Sequence, residues 1–495
     1  MILKNLTNNL ILKPLANKVA TIAVRAYDGA SLKNIAWSPS IGTTANSEIY
    51  PSLEILRSRG RDLTRNNAYA ARACTSIASN TIGTGIIHQY KDFKQEIWKS
   101  WSESTDCDAD GIHTFNGLQN LVMREVIEGG ECLVRKVYGK YNGKNIPLKL
   151  RVLSSEYIDM NRHGFYNGDN YISQGIEFNK AGQKVAYWLF PCHPENDLGW
   201  RKQSERIPAS EIAHIFRCDR AGQSRGITWF SPVMLEFRNL DNYQAAELKR
   251  REVSACFAAF IKYMDDLSDG LKETIKKNTD KVITKIYPGM VAHLQQGQDV
   301  TFANPQSDSN YDQYISSILR KIAIGMGITY EILAGNLSDV NFSSGRMGWL
   351  EFQRNIDIWR WHMMIPMFNS KVSQWFLETA AIAGYNTSKT EVSFTAAHRE
   401  MIDPLKEIAA MRDAIRSGLK SYPEALRELG YNPYEVINEI SEFNKIVDKL
   451  GIKLDCDPRN LTQQGQIQQA NNKTKIKKGI TDDSKNDASV NKTAA

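Results

Sequence analysis

Three acids, Asp106, Asp108 and Asp110, stand at alternate positions in one short polar stretch. Such a cluster could hold a divalent cation through carboxylate oxygens. No His, Lys or Glu lies near them at the spacing a metal-dependent nuclease would use, so solvated loop acids are the plainer reading. Nucleotide chemistry finds no better footing. Gly139, Gly143 and Lys144 miss the G-x-x-x-x-G-K-S/T spacing that cradles phosphates, and neither H-E-x-x-H, G-x-S-x-G nor a strand-to-helix G-x-G-x-x-G occurs. The eight His are scattered singly. The seven Cys are odd in number and form no C-x-x-C pair, which argues against a disulfide framework and a zinc site and for a reducing compartment. With no nucleophile and base in register and no metal set, these residues point to a helical assembly protein rather than a catalyst.

The more informative stretch is Ile322 to Phe352, where a small polar loop joins two helices. The first helix carries Tyr311, Tyr314, Ile315, Ile318, Leu319, Ile322, Ala323 and Met326 on one helical stripe, with Asn310 as its cap and Gly325 and Gly327 as its stop. The second opens near Ser343 and Ser344 and presents Trp349, Phe352, Ile356, Trp359 and Met363 at spacings of three and four, a core pattern, with Pro366 expected to kink it. Between them GNLSDVNFSS is polar and carries one ionised side chain, Asp339. By itself this reads as a surface turn.

At 495 residues the chain exceeds a single core, and 42% apolar with 24% charged residues fits a folded multi-domain protein. A net charge of +7 is mild over this length and does not announce tight nucleic-acid binding. The apolar N-terminus is interrupted by Lys and Pro14, so neither a signal peptide nor a membrane span is read there.

Arg57, Arg61 and Arg65 fall on one helix face, as a salt-bridged stripe or a subunit contact. A helix over 118–127 stops at Gly129-Gly130. From 130 to 220 the period turns to two, with strands expected at 131–138, 148–153, 175–178, 185–190 and 212–218 and a hairpin at NKAGQ. Ser231-Pro232 opens a rod to Tyr263, some 30 residues and roughly 45 Å long. Residues 264–309 form a Lys-rich insert with a Pro288-Gly289 turn and strand-like runs at 290–294 and 300–302. Three capped helices follow, opened by Asp403-Pro404, a Ser421-x-x-Glu424 box and Asn432-Pro433 and closed by Gly418, Gly430 and Gly451. The last carries an apolar heptad face of Val436, Ile440, Phe443, Val447 and Leu450. From about Leu461 the composition is that of a disordered tail.

Several stretches, in collinear order over roughly 25–460, resemble the lambda-type family of tailed-phage portal proteins: RAYDGA at 25–30 with Trp37, RSRGRDLTRNNAYA and TIGTGI, GIEFNKAGQKVAYWLF, EIAHIF, AGQSRGITWFSPVM, RKIAIGMGITYEILAGNLSDVNFSSGRMGWLEFQR at 320–354, and IDPLKEIAAMRDAIRSGLKSYPEALRELGYNPYEVINEI at 402–440. The resemblance implies an α+β, predominantly helical fold of portal type, with wing, stem, clip and crown parts, assembling into a ring with a central channel. Laid on this chain, 1–24 is an N-terminal arm, 25–230 wing, 231–263 and 311–326 stem helices, and 264–309 clip. The tunnel loop is 335–344, the long kinked wing helix and the segment after it 345–400, the crown 401–460 and the tail 461–495.

The DNA-facing residues implied are Asn336, Leu337, Ser338, Asp339, Val340, Asn341, Phe342, Ser343 and Ser344. Lys249, Arg250, Arg251, Arg320 and Lys321 become candidate stem or channel contacts, and Lys272, Lys276, Lys277, Lys281 and Lys285 candidate clip contacts for terminase. The family's role is a dodecameric ring at one capsid vertex, through which a terminase packages DNA and from which it leaves. The partners implied are further copies of the chain, double-stranded DNA bound without sequence preference, the large terminase subunit, major capsid and scaffold proteins, and head-completion or connector proteins. No membrane, cofactor, metal or catalytic residue is implied, and the particle would be assembled in the bacterial cytoplasm. The reading set against it at this point is a metal-dependent nucleic-acid-processing enzyme built on the Asp106 cluster.

Overall fold

The computed structural model describes residues 43–140, 146–196, 203–255, 259–263, 298–302, 310–338, 340–397, 401–452, 454 and 459. The expected arm, the tail, Asp339, all five clip lysines and the strand-like run at 290–294 lie outside the described residues. Described residues fall into two units, up to Ala397 and from His398.

The first unit opens with α1 (Ala45–Ile49), α2 (Leu53–Asn66) and α3 (Ala68–Ile82). Asn67 separates α2 from α3 by adopting an extended backbone, and its side chain accepts from the N–H groups of Tyr69 and Ala70. Strand β1 (Ile87–Lys91) and α4 (Gln95–Ser102) lead to α5 (Phe115–Gly129), which ends on Gly130 at φ 95°, a left-handed cap that suits glycine. Eight strands follow: β2 (Glu131–Tyr138), β3 (Leu148–Ser154), β4 (Gly164–Tyr166), β5 (Asn170–Ser173), β6 (Ile176–Phe178), β7 (Lys184–Leu189), β8 (Glu205–Pro208) and β9 (Ile212–Phe216). They form two antiparallel sheets, β3-β2-β9 and the meander β4-β5-β6-β7-β8. The expected strands are present with shifts of a residue or two at their ends, and NKAGQ closes the β6–β7 hairpin with Gly182 at φ 75°.

Alternation along β2 makes two cores from one strand. Cys132 and Val134 face the large helical core, while Leu133 on the opposite face joins Ile176, Phe178, Tyr187 and Leu189 between the sheets. The helical core draws on α3, α5 and the later helices.

The expected rod at 231–263 is corrected. Residues 228–233 are held in turns by bonds from the Ser231 N–H to the Thr228 carbonyl (3.1 Å) and from the Val233 N–H to the Phe230 carbonyl (2.9 Å), so α6 starts at Met234. It ends at Ala255, and Ala259–Tyr263 is instead a strand, β10, antiparallel to β11 (Gln298–Phe302). The run AFIKY is rich in aromatic and β-branched residues, which favour a pleated strand over helix.

Helix α7 spans Tyr311–Met326 as the stripe requires, buried along Ile318, Leu319, Ile322, Ala323 and Met326. Two expected features of its ends differ. Asn310 stands at the cap position without a side-chain capping bond, and Gly325 lies inside the helix, where a Cβ would fall 2.3 Å from Val233 Cγ1. The glycine is there for close approach, and Gly327, left-handed at φ 71°, is the terminator. A five-residue helix that periodicity did not suggest, α8 (Tyr330–Ala334), follows, capped by Thr329.

Helix α9 (Phe342–Trp359) runs into a π-helix over Arg360–Asn369 and then α10 (Ser370–Ile382). Pro366 falls within the π segment, where bonding reaches back five residues, as the Ser370 N–H to the Ile365 carbonyl shows. Strand β12 (Glu391–Thr395) pairs antiparallel with β1 across some three hundred residues of sequence. The second unit holds α11 (Pro404–Arg416), α12 (Tyr422–Glu428) and α13 (Pro433–Leu450), capped by Asp403, Ser421 and Asn432 as expected. The heptad face of α13 is not a buried seam: Val447 is buried, but Ile440, Phe443 and Leu450 are about half exposed or more.

Candidate functional site

The loop before α9 is organised by its own side chains. Gly335 closes α8 in the left-handed region at φ 68°. The Asn336 Oδ1 accepts from the Ser338 N–H (3.0 Å) and hydroxyl (2.7 Å), an Asx turn, and the Val340 N–H donates to the Leu337 carbonyl (3.2 Å). Asn341, rather than the expected Ser343 or Ser344, caps α9. Its Oδ1 accepts from the Ser344 N–H (2.8 Å), and the Ser344 hydroxyl accepts from the Asn341 N–H (3.2 Å), a reciprocal box. Phe342, Ser343 and Ser344 therefore belong to the first helical turn, and the loop proper is 335–341. The Asn336 and Asn341 side-chain oxygens and the Ser338 hydroxyl are engaged within the loop and the first turn of α9, while Leu337 and Phe342 stand 67% and 60% exposed, apolar groups offered to whatever faces the loop.

The candidate stem cations are spoken for. Arg250 and Arg251 share Glu247, at 2.5 and 2.9 Å, and Lys249 pairs with Glu252 at 3.0 Å. Lys321 of α7 pairs with Glu236 of α6. Arg251 also lies over the Tyr311 ring at 5.2 Å and Arg320 over Tyr330 at 5.1 Å, so these cations tie α6 to α7 and α7 to α8. The Arg250 guanidinium, hydrogen-bonded to Glu247, holds that carboxyl down at about 2.

The Asp106 cluster does not assemble into a metal site. Asp108 turns inward, and its carboxylate accepts from the N–H groups of His113 (2.9 Å), Asp110 (3.0 Å) and Ile112 (3.0 Å). Burial alone would raise its pKa, but these amides outweigh it and lower it. Among the described residues no three His, Cys, Asp or Glu side chains converge on a cation position.

Sequence reasoning missed a buried ionic cluster centred on Glu131, at the start of β2. Its carboxylate meets Arg225 in a fork (Nε 3.0 Å to both oxygens), Arg57 (3.2 Å), the His214 Nε2 (3.0 Å) and the Gly226 N–H (2.8 Å), all buried. A Cβ at Gly226 would lie 2.2 Å from the Gly130 carbonyl, so only glycine lets that amide reach the carboxylate. Burial pushes the Glu131 pKa up, yet Arg225 and His214 carry it well below the usual range. Burial, with Lys184 nearby, lowers His214 to about 4. A neutral His214 that donates from Nε2 leaves Nδ1 to accept from the Tyr187 hydroxyl (3.4 Å). Of the Arg stripe, Arg57 and Arg61 enter this neighbourhood, Arg61 binding Glu125 and Glu156, while Arg65 pairs with Asp62 at the surface. Arg57 and Arg61 make an internal clamp, which Arg65 does not join. Its one sequence signal was three Arg on a helix face; the acids that answer it lie 64 to 95 residues away.

A second neutral histidine, His88, is enclosed by aromatic rings, stacked on Trp98 with centroids 4.5 Å apart. Its Nε2 accepts from the Asn369 amide (2.9 Å) and its Nδ1 donates to the Ser373 hydroxyl (2.8 Å). Burial lowers its pKa to about 3. Both clusters are buried, and their central side chains, Glu131 and His88, are held by partners within the first unit, which makes them structural.

A family model described as phage portal protein, lambda family, matches residues 33–360. The chain is 26% identical over 441 residues to a probable portal protein of Halomonas phage phiHAP-1, covering 82% of this chain and 83% of that one. It is 24% identical over 470 residues to portal protein B of Escherichia phage lambda, with 81% and 85% covered. Among solved structures it is similar to a chain in the neck of a native gene transfer agent particle, at 15% identity and a TM-score of 0.44, covering 76% of this chain and 94% of that one.

Proposed function

The chain belongs to the lambda family of phage portal proteins, and from that premise we propose that it forms a dodecameric ring at one capsid vertex, assembled in the host cytoplasm. Double-stranded DNA passes through the ring inward under a terminase and outward at delivery. Head-completion or connector proteins attach to its outer end, and the capsid and scaffold proteins meet it at the vertex. Loop 335–341 with the first turn of α9 faces the DNA, α6 and α7 form the stem, the segment around β10 and β11 the clip, and the second unit the crown. The role is structural, a conduit without a catalytic step of its own.

The observation that carries this reading is the chemistry of the loop and its flanks. A duplex must slide, and every Lys or Arg free to pair with phosphate would steepen the electrostatic hold, multiplied by ring symmetry. The described loop residues carry no charge, expose Leu337 and Phe342 and engage the Asn336 and Asn341 side-chain oxygens in local bonds. Four of the five candidate stem cations, Lys249, Arg250, Arg251 and Lys321, are paired with Glu252, Glu247 and Glu236. Such a surface touches DNA by sequence-blind contact and does not trap it.

Negative-stain imaging and native mass measurement of the purified full-length protein test the reading. Rings with a central hole are expected. A monomer that cuts DNA when a divalent metal is added would overturn it in favour of a nuclease.

A further inference from the structure

Helix α9 is apolar on two sides. Phe352, Ile356 and Trp359 are buried in the core of their own chain. On another side Met347, Leu350, Ile358 and Trp361 are about half exposed or more, Met347 the most at 74%, with Arg354, also exposed, among them. Steps of three, four, four and three residues put these five on one stripe, which runs into the first turn of the π-helix and is roughly 20 Å long. Ile358 also lines an open cavity of about 390 Å³ together with Ile324 of α7, itself largely exposed, so the apolar surface widens there. A helix that packs its own core needs one apolar face; a second one needs a second packing partner.

Elsewhere in the first unit, outside the loop, exposed large apolar side chains come only one or two to an element, as Phe165 on β4 or Leu235 and Leu248 on α6. Scattered residues of that kind are ordinary; a continuous stripe marks a contact. The stripe and Ile324 together expose roughly 500 Å² of apolar surface, and an equal face set against them removes about 1,000 Å² in all, the size at which a contact between folded proteins becomes specific. A closed ring supplies such a face, because each copy turns two different surfaces to its two neighbours. The stripe begins five residues after Phe342, at the loop end of α9. Copies crowd closest near the axis of a ring, so the surface beside a helix that mounts a channel loop is that of the next copy.

Resting on the portal reading, we propose that the outer stripe of α9, Met347, Leu350, Arg354, Ile358 and Trp361, is one half of the contact between adjacent copies. It seats against a different, apolar face of the next copy, one that presents a carboxylate or carbonyl oxygen to Arg354. The helix that carries the loop is then packed on its own core from one side and on its neighbour from the other.

The test uses the full-length protein with Leu350→benzoylphenylalanine, a photoreactive side chain within the stripe. Illumination followed by a denaturing gel is expected to give covalent dimers, trimers and longer ladders, because a head-to-tail contact links each copy to the next. Met347→Glu combined with Ile358→Glu puts two charges into the apolar contact and should lower the yield of rings in native mass measurement about tenfold, at unchanged helix content by circular dichroism. The proposal is overturned if cross-links fail to form or stay within single chains, if they stop at dimers, which is a two-fold contact, or if the doubly substituted protein forms rings at the normal yield. Each of those results leaves the portal reading standing, whereas an unsubstituted protein that forms no rings takes down both.

Discussion

The two buried histidines set a pH limit on the fold. His88 and His214 titrate at about 3 and about 4 in the folded chain, below the ordinary value near 6.5. The folded pKa is the lower one, so between these limits the unfolded chain takes up protons that the native state refuses. Stability is therefore full above about pH 6.5 and falls on acidification toward pH 4. Each histidine contributes a slope of up to about 1.4 kcal/mol per pH unit, about 2.7 for both. Urea midpoints for the first unit at pH 7, 6 and 5 should show this decline, and His88→Asn should roughly halve the slope between pH 6 and 5. An unchanged slope in a folded His88→Asn protein would mean that His88 is not kept neutral. Glu131 enters only lower: its depressed pKa contributes stability that is full above the ordinary carboxylate range and is lost as the pH falls through that range toward the folded value.

At the scale of elements, caps and periodic stripes were legible because they are local. Asp403, Ser421, Asn432 and Gly451 do what their types predict, and α7 runs from Tyr311 to Met326 as its stripe requires. What stayed hidden depended on distance. The β1–β12 pair joins His88 to Phe394, and Glu131 finds Arg225 94 residues on, neither of which a window of local sequence contains. The overlong rod at 231–263 failed because no Gly or Pro interrupts it, while the strand pairing of 259–263 with 298–302 overrode helical continuity. The loop was legible as polar, but its cap was placed two or three residues late, since Ser343, Ser344 and Asn341 are all good capping types and only geometry selects among them. Asn341→Ala should cost about 1 kcal/mol locally. Amide exchange in the first turn of α9 should then quicken about fivefold, with α7 unaffected. Equal exchange in both proteins would show that the box does not hold the loop.

For the whole molecule, repetition around a ring turns small local chemistry into a collective property. Leu337→Lys adds one exposed cation per chain at a position now 67% exposed and apolar. In a ring this becomes a collar of positive charge, and phosphate binding steepens with each added contact. DNA packaging should slow or stall, most strongly at low salt, with rings still forming. Normal packaging by Leu337→Lys particles would remove the loop from the DNA path without touching the ring itself.

The π-helix over Arg360–Asn369 has a consequence for how that loop is mounted. Each π turn takes one residue more than an α turn, so the side chains emerge from the segment out of phase with those that entered it. Before it, α9 turns Phe352, Ile356 and Trp359 inward, the last against Trp229. After it, α10 presents Trp375 to the Ser210 carbonyl and Phe376 to Trp98 and Tyr90. Arg360, at the changeover, is bolted to the carbonyls of Asn80 and Thr81 at the end of α3. One uninterrupted strut thus keys into two differently oriented sockets, which fixes its rotation as well as its position. The loop at its free end inherits that setting, and its bearing is referenced to the interior of its own chain.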